Sequence, residues 1–130
     1  MTENEISKHV VEAALVVHRE LGPGLLESVY EHCLAIELRE MGLKCAAQVS
    51  LPVVYKGETL DFGFRMDLLV EDLVVVEVKA SDRLHDVHVA QILSYLKLSR
   101  RKLGLLINFN EALIKNGIRR VVNGLDEHFD

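Results

Sequence analysis

Arg65-Met-Asp67-Leu-Leu-Val70-Glu71-Asp72-Leu73-Val-Val-Val76-Glu77-Val78-Lys79 is the stretch on which the fold turns. Leu73 to Val76 is apolar without alternation, the pattern of a central strand covered on both faces. Leu60 to Val70 reads as the strand before it, and Glu71-Asp72 as the tight hairpin between Leu60–Val70 and Leu73–Val78. Charges interrupt this apolar hairpin at three places. Glu77 and Lys79 are two residues apart on one strand, so they share a face. Asp67 comes opposite Glu77 or one position away once the hairpin closes, where cross-strand neighbours are only ~5 Å apart. Two carboxylates so close repel strongly unless a cation lies between them. Carboxylate oxygens suit Mg²⁺, Mn²⁺ or Ca²⁺ rather than zinc. The alternative is a structural ion pair between Glu77 and Lys79 at the strand end.

Outward from the hairpin the pattern changes to helix spacing. Asn4 to Leu21 places Ile6, Val10, Ala13, Ala14, Val17 and Leu21 at three- and four-residue steps, and Gly22-Pro23-Gly24 ends that helix. A second helix is expected from about Leu26 to Met41, with Val29, Cys33, Ile36 and Leu38 as its apolar stripe and Gly42 as C-terminal cap. Cys45 to Tyr55 reads as a strand, with a turn at Lys56-Gly57-Glu58. After the central strand come a helix from His85 to Leu98, a buried-type strand from Leu103 to Phe109, and a short last strand at Ile118 to Val122. The order is α-α-β-β-β-α-β with that optional last strand. It predicts an α/β fold in which helices flank a mixed β-sheet, as one domain over residues 1–130.

Glu27 and Tyr30 are three apart on the second helix, and Gln91 and Tyr95 four apart on the third, so each pair shares a face. Alone, each reads first as a solvent-facing polar residue beside a core tyrosine. Together they surround the Asp67…Glu77-x-Lys79 strand pair. At this point the chain resembles the GxxExxY proteins of the PD-(D/E)XK nuclease-like superfamily. The residues that carry the resemblance are Gly24-Leu-Leu-Glu27-Ser-Val-Tyr30, Gly63-Phe-Arg65-Met-Asp67, Val76-Glu77-Val-Lys79-Ala, His88-Val-Ala-Gln91-Ile-Leu-Ser-Tyr95 and Gly104-Leu-Leu-Ile-Asn-Phe-Asn110. They span nearly the whole chain. The proline–aspartate dipeptide of the superfamily is absent, because Met66 precedes Asp67.

The resemblance implies an α-β-β-β-α-β restriction-endonuclease-like core with an extra N-terminal helix, and metal-dependent hydrolysis of DNA or RNA with Mg²⁺ or Mn²⁺. It implies Asp67 and Glu77 as metal ligands, joined by the Val78 carbonyl and by Glu27, directly or through water. Lys79 would orient the attacking water or neutralise the phosphate, and Gln91 and Tyr95 would contact the phosphate or hold Lys79 and the metal waters. Tyr30, Arg65 and His88 would stand behind these groups or meet substrate. The alternative is a nuclease-fold binding or accessory protein without activity of its own.

Composition frames these expectations. Of 130 residues, 49% are hydrophobic and 27% charged, which excludes wholesale disorder. The net charge of −5 speaks against non-specific nucleic-acid binding. Its distribution qualifies that: Lys97 to Arg120 holds seven bases and one acid. Arg100, Arg101, Lys102, Arg119 and Arg120 are therefore candidate phosphate contacts beside the site, or else a solvated helix end. Four Phe, three Tyr and no Trp offer no obvious aromatic stacking platform. His85-xx-His88 has helical spacing for a metal pair but no third soft ligand nearby. No P-loop, GxGxxG or GxSxG occurs. No apolar run reaches the ~18 residues a membrane span needs. The acidic start lacks a basic leader region, and Cys33 and Cys45 form no CxxC, so a cytoplasmic protein is expected. A homodimer would help so small a chain enclose a duplex.

Overall fold

A computed structural model describes residues 1–126; the last four residues of the expected domain lie outside the described residues. Helix α1 (Glu3–Leu21) starts where the Thr2 hydroxyl accepts the Glu5 N–H at 3.2 Å. Its buried face is Ile6, Val10, Ala13, Ala14 and Val17, as the spacing predicts, whereas the last expected position, Leu21, is exposed at the helix end. Helix α2 (Glu27–Glu40) ends as expected: Gly42 adopts φ 85°, and the Leu43 N–H reaches back to the Leu38 carbonyl at 3.1 Å.

The expected α2 stripe is corrected. Tyr30, Leu34, Ala35 and Leu38 are the buried residues, whereas Val29 and Ile36 are 37% and 52% exposed. The stripe is rotated because Tyr30 packs flat on Phe109, ring centroids 4.7 Å apart, and turns Val29 outward.

The expected long strand Cys45–Tyr55 is two strands, β1 (Cys45–Ser50) and β2 (Val53–Tyr55). Pro52 lacks the N–H a continuing ladder needs. Leu60–Val70 likewise divides into β3 (Glu58–Leu60) and β4 (Arg65–Val70), and β2 pairs with β3 as a separate two-stranded hairpin. Strand β5 (Val74–Lys79), helix α3 (Asp86–Ser99), strand β6 (Leu103–Asn108) and strand β7 (Ile118–Val122) complete the chain.

The main sheet has the order β1-β4-β5-β6-β7; β5 and β6 are parallel and the other neighbours antiparallel. One core lies between the sheet and α1/α2, the other between the sheet and α3. This is the flanked mixed sheet the sequence predicts. No helix among the described residues is long and apolar enough to cross a membrane.

Candidate active site

Register is the first thing that builds the site. The hairpin turns on Glu71 and Asp72, both at positive φ, with Leu73 as one extra residue before β5 begins. Leu68 therefore pairs with Val76, and the next step places Asp67 opposite Glu77. There the ladder opens. The Asp67 N–H donates to Glu77 Oε2 at 2.7 Å, and the Val78 N–H donates to Asp67 Oδ2 at 2.8 Å. Two carboxylates thus replace the carbonyls that would continue the pairing, and each satisfies a backbone donor that would otherwise be stranded.

The other neighbour of Asp67 distorts as well. Pairing of β1 with β4 skips the Gln48–Asp67 position, because Gln48 sits at φ 51°. A left-handed non-glycine residue costs on the order of 1 kcal/mol, and such strain is typically stored beside functional groups. The two-residue alternation slips there: Leu68 and Val70 face the α1/α2 core, while Met66 joins Leu69 in the α3 core. Asp67 lies at this slip. Its Oδ1 accepts from Gln48 Nε2 at 3.4 Å, and Gln48 also donates to Glu31 Oε1 at 2.7 Å.

Glu77 is only 4% exposed. Burial, then the Asp67 charge, push its carboxyl from an ordinary value near 4.5 up to about 8, although the Asp67 N–H and the Lys79 ammonium favour the ionised form. No ion pair joins Glu77 to Lys79 among the described residues, so the structural-pair alternative is not the arrangement formed.

Helix α2 supplies two more carboxylates. Glu27 Oε1 accepts the Ala80 N–H at 3.4 Å, just past the end of β5. Glu31, one turn on, has its acidity weakened first by burial and then by Asp67. Glu27, Glu31, Gln48, Asp67 and Val78 line a cavity of about 280 Å³. Glu31 and Gln48 are absent from the sequence-derived set. The four-residue spacing from Glu27 signals Glu31; no sequence pattern signals Gln48, whose place depends on the β1–β4 register.

Helix α3 brings the remaining groups. Lys79, His88, Gln91 and Ser94 line a second, more open cavity of about 530 Å³. Gln91 Nε2 donates to the Tyr95 hydroxyl at 3.2 Å. Tyr95 holds its proton more tightly than usual, through burial and then the charges of Glu77 and Asp67. His88 Nδ1 accepts the His85 N–H at 3.1 Å, which leaves the proton of the neutral ring on Nε2. Desolvation and Lys79 lower the basicity of His88 further. That bond occupies one His88 nitrogen and does not favour a His85–His88 metal pair.

Two expectations about placement are corrected. Tyr30 is fully buried, and its hydroxyl is spent on the α1–α2 turn: it donates to the Gly22 carbonyl at 2.6 Å and accepts the Leu25 N–H at 3.0 Å. Tyr30 therefore sets the turn that presents Glu27 and does not meet the carboxylates. The Arg100–Lys102 part of the basic stretch is not beside the site. The α3 crossover returns the chain to the start of β5, where Leu103 pairs with Val74. Arg100, Arg101 and Lys102 consequently lie before the start of β6, beyond the ~10 Å of strand that separates the Leu103 level from the Glu77 level. Arg101 is tied there to Asp72 Oδ1 at 2.7 Å. Arg120 Nη2 donates to Asn4 Oδ1 at 2.5 Å. Of the five bases, Arg119 alone is level with Glu77, through Leu106 and two strands over. Arg65 is exposed at the start of β4.

One buried polar residue supports the whole edge. Asn108 pairs with Lys79 at the end of the parallel strands. Its Oδ1 accepts the Ser81 and Asn110 N–H groups at 3.0 and 3.2 Å, and its Nδ2 donates to the Ser81 carbonyl at 3.0 Å. Asn108 therefore holds the turn whose Ala80 N–H meets Glu27.

A mixed sheet whose parallel strands end in an Asp…Glu-x-Lys group, with a carboxylate-bearing helix on one side and a Gln-xxx-Tyr helix on the other, defines a nuclease-like α/β protein. A family model described as the PD-(D/E)XK nuclease superfamily matches residues 4–121, and the chain belongs to that superfamily. Membership points to a nuclease-like function on nucleic acid, and enzymes of this class generally work with divalent metal ions. No curated protein and no solved structure matches the chain.

Proposed function

We propose that the protein is a Mg²⁺- or Mn²⁺-dependent nuclease that hydrolyses phosphodiester bonds of DNA or RNA, and that it is a member of the GxxExxY branch. The observation that carries this reading is Glu77, buried against Asp67 and in no salt bridge among the described residues. Burying an uncompensated carboxylate costs several kcal/mol, and a metal ion removes that cost.

The donor chemistry fits a hard divalent cation. Glu27, Asp67, Glu77 and the Val78 carbonyl are all oxygen ligands, and Glu31 is a fifth donor that lines the same cavity as Asp67. A bound cation would acidify water and offset charge on the phosphate. The chain's own residues do the rest. Lys79 places a fixed positive charge beside Glu77 and toward the second cavity. The Nε2–H of His88 and the Gln91 amide offer donors to phosphate oxygens from that cavity. Tyr95 braces Gln91 through its hydroxyl.

A second reading, a nuclease-fold binding or accessory protein, is favoured by one observation. Glu77 Oε2 and Asp67 Oδ2 are already engaged by backbone N–H groups, and no three of the His, Cys, Asp and Glu side chains among the described residues converge on one ion position. The test is incubation with single- and double-stranded DNA and RNA in Mg²⁺, Mn²⁺ or EDTA. Cleavage that EDTA and Glu77→Ala both abolish supports the first reading. Binding that survives in EDTA without cleavage under any condition supports the second.

A further inference from the structure

Composition offers no obvious stacking platform, yet the fold brings three aromatic rings together. Residues 61–64, between β3 and β4, are pinned at several points. Asp61 Oδ1 accepts the Gly63 N–H at 2.8 Å, Gly63 adopts φ 78°, and the Phe64 carbonyl accepts the Leu51 N–H at 2.9 Å. Held this way, the segment turns two phenylalanines outward. Phe62 is 65% exposed and Phe64 is 42% exposed. Their ring centroids are 6.4 Å apart with planes tilted by 53°, and Phe64 is 6.3 Å from the Tyr95 ring at 49°. Tilted rings do not cover one another's faces. Tyr95 in turn is close enough to Glu77 and Asp67 to feel their charge. The three rings form a row from two exposed phenylalanines to the buried Tyr95, which is 7% exposed.

Folding does not require this exposure. Neither phenylalanine belongs to a core cluster, and an ordered exposed apolar row beside a site marks a contact surface. The charge balance of the chain argues for what covers it. At −5 net, the protein gains little from general phosphate attraction, while stacking on a ring face is available from every base whatever the charge of the surface. Arg65 follows Phe64 and is exposed, which places one cation where a backbone phosphate would pass. Bases inside a duplex hide their faces against each other. The row therefore suits a single strand or a frayed end.

We propose that Phe62 and Phe64, continued by Tyr95, form a base-stacking site for single-stranded nucleic acid that feeds the strand to Asp67 and Glu77. The proposal rests on the nuclease reading above and names its substrate class. The probes are a fluorescein-labelled oligothymidylate, an oligouridylate and a blunt-ended hairpin duplex. Binding is followed by anisotropy in EDTA at low salt, for wild type, Phe62→Ala, Phe64→Ala and Phe62→Trp. Each alanine variant is expected to weaken single-strand binding about 5- to 100-fold, the loss of one stacked base, with duplex binding unchanged and Phe62→Trp at least as tight as wild type. The oligothymidylate and oligouridylate arms show whether DNA or RNA is preferred. Wild-type affinity retained in both alanine variants, equal losses on single strand and duplex, or no wild-type binding to either single strand overturns the proposal. Cleavage in Mg²⁺ and Mn²⁺ is scored on the same proteins. Unaltered single-strand binding with active cleavage refutes the row and leaves the nuclease reading standing. Weakened binding with an inert wild type does the reverse. Circular dichroism confirms folding, and Phe62, the more exposed ring, carries the result if Phe64→Ala does not fold.

Discussion

Replacing Glu77 by glutamine tests whether the carboxylate pair is a metal centre or an ordinary part of the core. Burial and the Asp67 charge raise the Glu77 carboxyl from near 4.5 to about 8. Each tenfold change in proton affinity is ~1.4 kcal/mol, so ionising Glu77 costs about 5 kcal/mol more in the fold than in the unfolded chain. A raised carboxyl contributes stability that is fully present below pH 4.5 and lost as pH climbs through about 8. By pH 7 about 3 kcal/mol of it is gone, because the unfolded chain ionises while the folded one must hold a proton.

Glutamine keeps an oxygen to accept the Asp67 N–H at 2.7 Å and removes the titration. In EDTA, Glu77→Gln is therefore expected to match wild type near pH 4.5 and to exceed it by roughly 15 °C in Tm at pH 8. Titrating Mg²⁺ or Mn²⁺ should close most of that gap: wild type gains about 3 kcal/mol at a hundred times its Kd, and the variant gains little. Thermal unfolding of both proteins across pH 4.5 to 8 reads this directly. Glu31 shifts in the same sense, but it is common to both chains, so the difference between them isolates Glu77. A variant less stable than wild type at pH 8 in EDTA, or curves that stay parallel from pH 4.5 to 8, would refute the reasoning.

Lys79→Met should leave the fold intact and lower kcat by about 10²-fold with little change in KM, as expected of a charge used in the transition state; a KM effect alone would contradict that role. Asn108→Ala strands the Ser81 and Asn110 N–H groups. It should cost about 2–3 kcal/mol in urea unfolding, and a change within error would mean that other groups hold the turn. Arg100→Ser with Lys102→Ser should leave cleavage and its salt dependence unchanged, since both lie at the far end of β5; a clear drop in the salt slope would put them back on the substrate path.

Much of the fold was readable because local patterns and core packing agree. The unbroken run Val74–Val76 required cover on both faces, and α1/α2 and α3 supply it. Spacing marked α1 and α3, and Gly42 marked the end of α2. Reading failed where two apolar stripes competed on one helix. Val29 and Ile36 look as buriable as Tyr30 and Leu34, and only the stacking of Tyr30 on Phe109, far away in the chain, selects between them. It failed again at Arg100–Lys102, because nearness along the chain to the Gln91–Tyr95 helix says nothing about which end of the sheet that helix delivers the chain to.

The sequence by itself determined the element order, the charged residues that break apolar strands, and hence the Asp67, Glu77 and Lys79 set. Charges inside buried strands are costly, so their presence is informative without coordinates. Tertiary structure alone decided the one-residue register that faces Asp67 with Glu77, the left-handed Gln48 beside them, and the row of Phe62, Phe64 and Tyr95. Each of these depends on contacts between segments distant in the chain. Such contacts are set by how strands pair and cores fill, and no local window of residues encodes them.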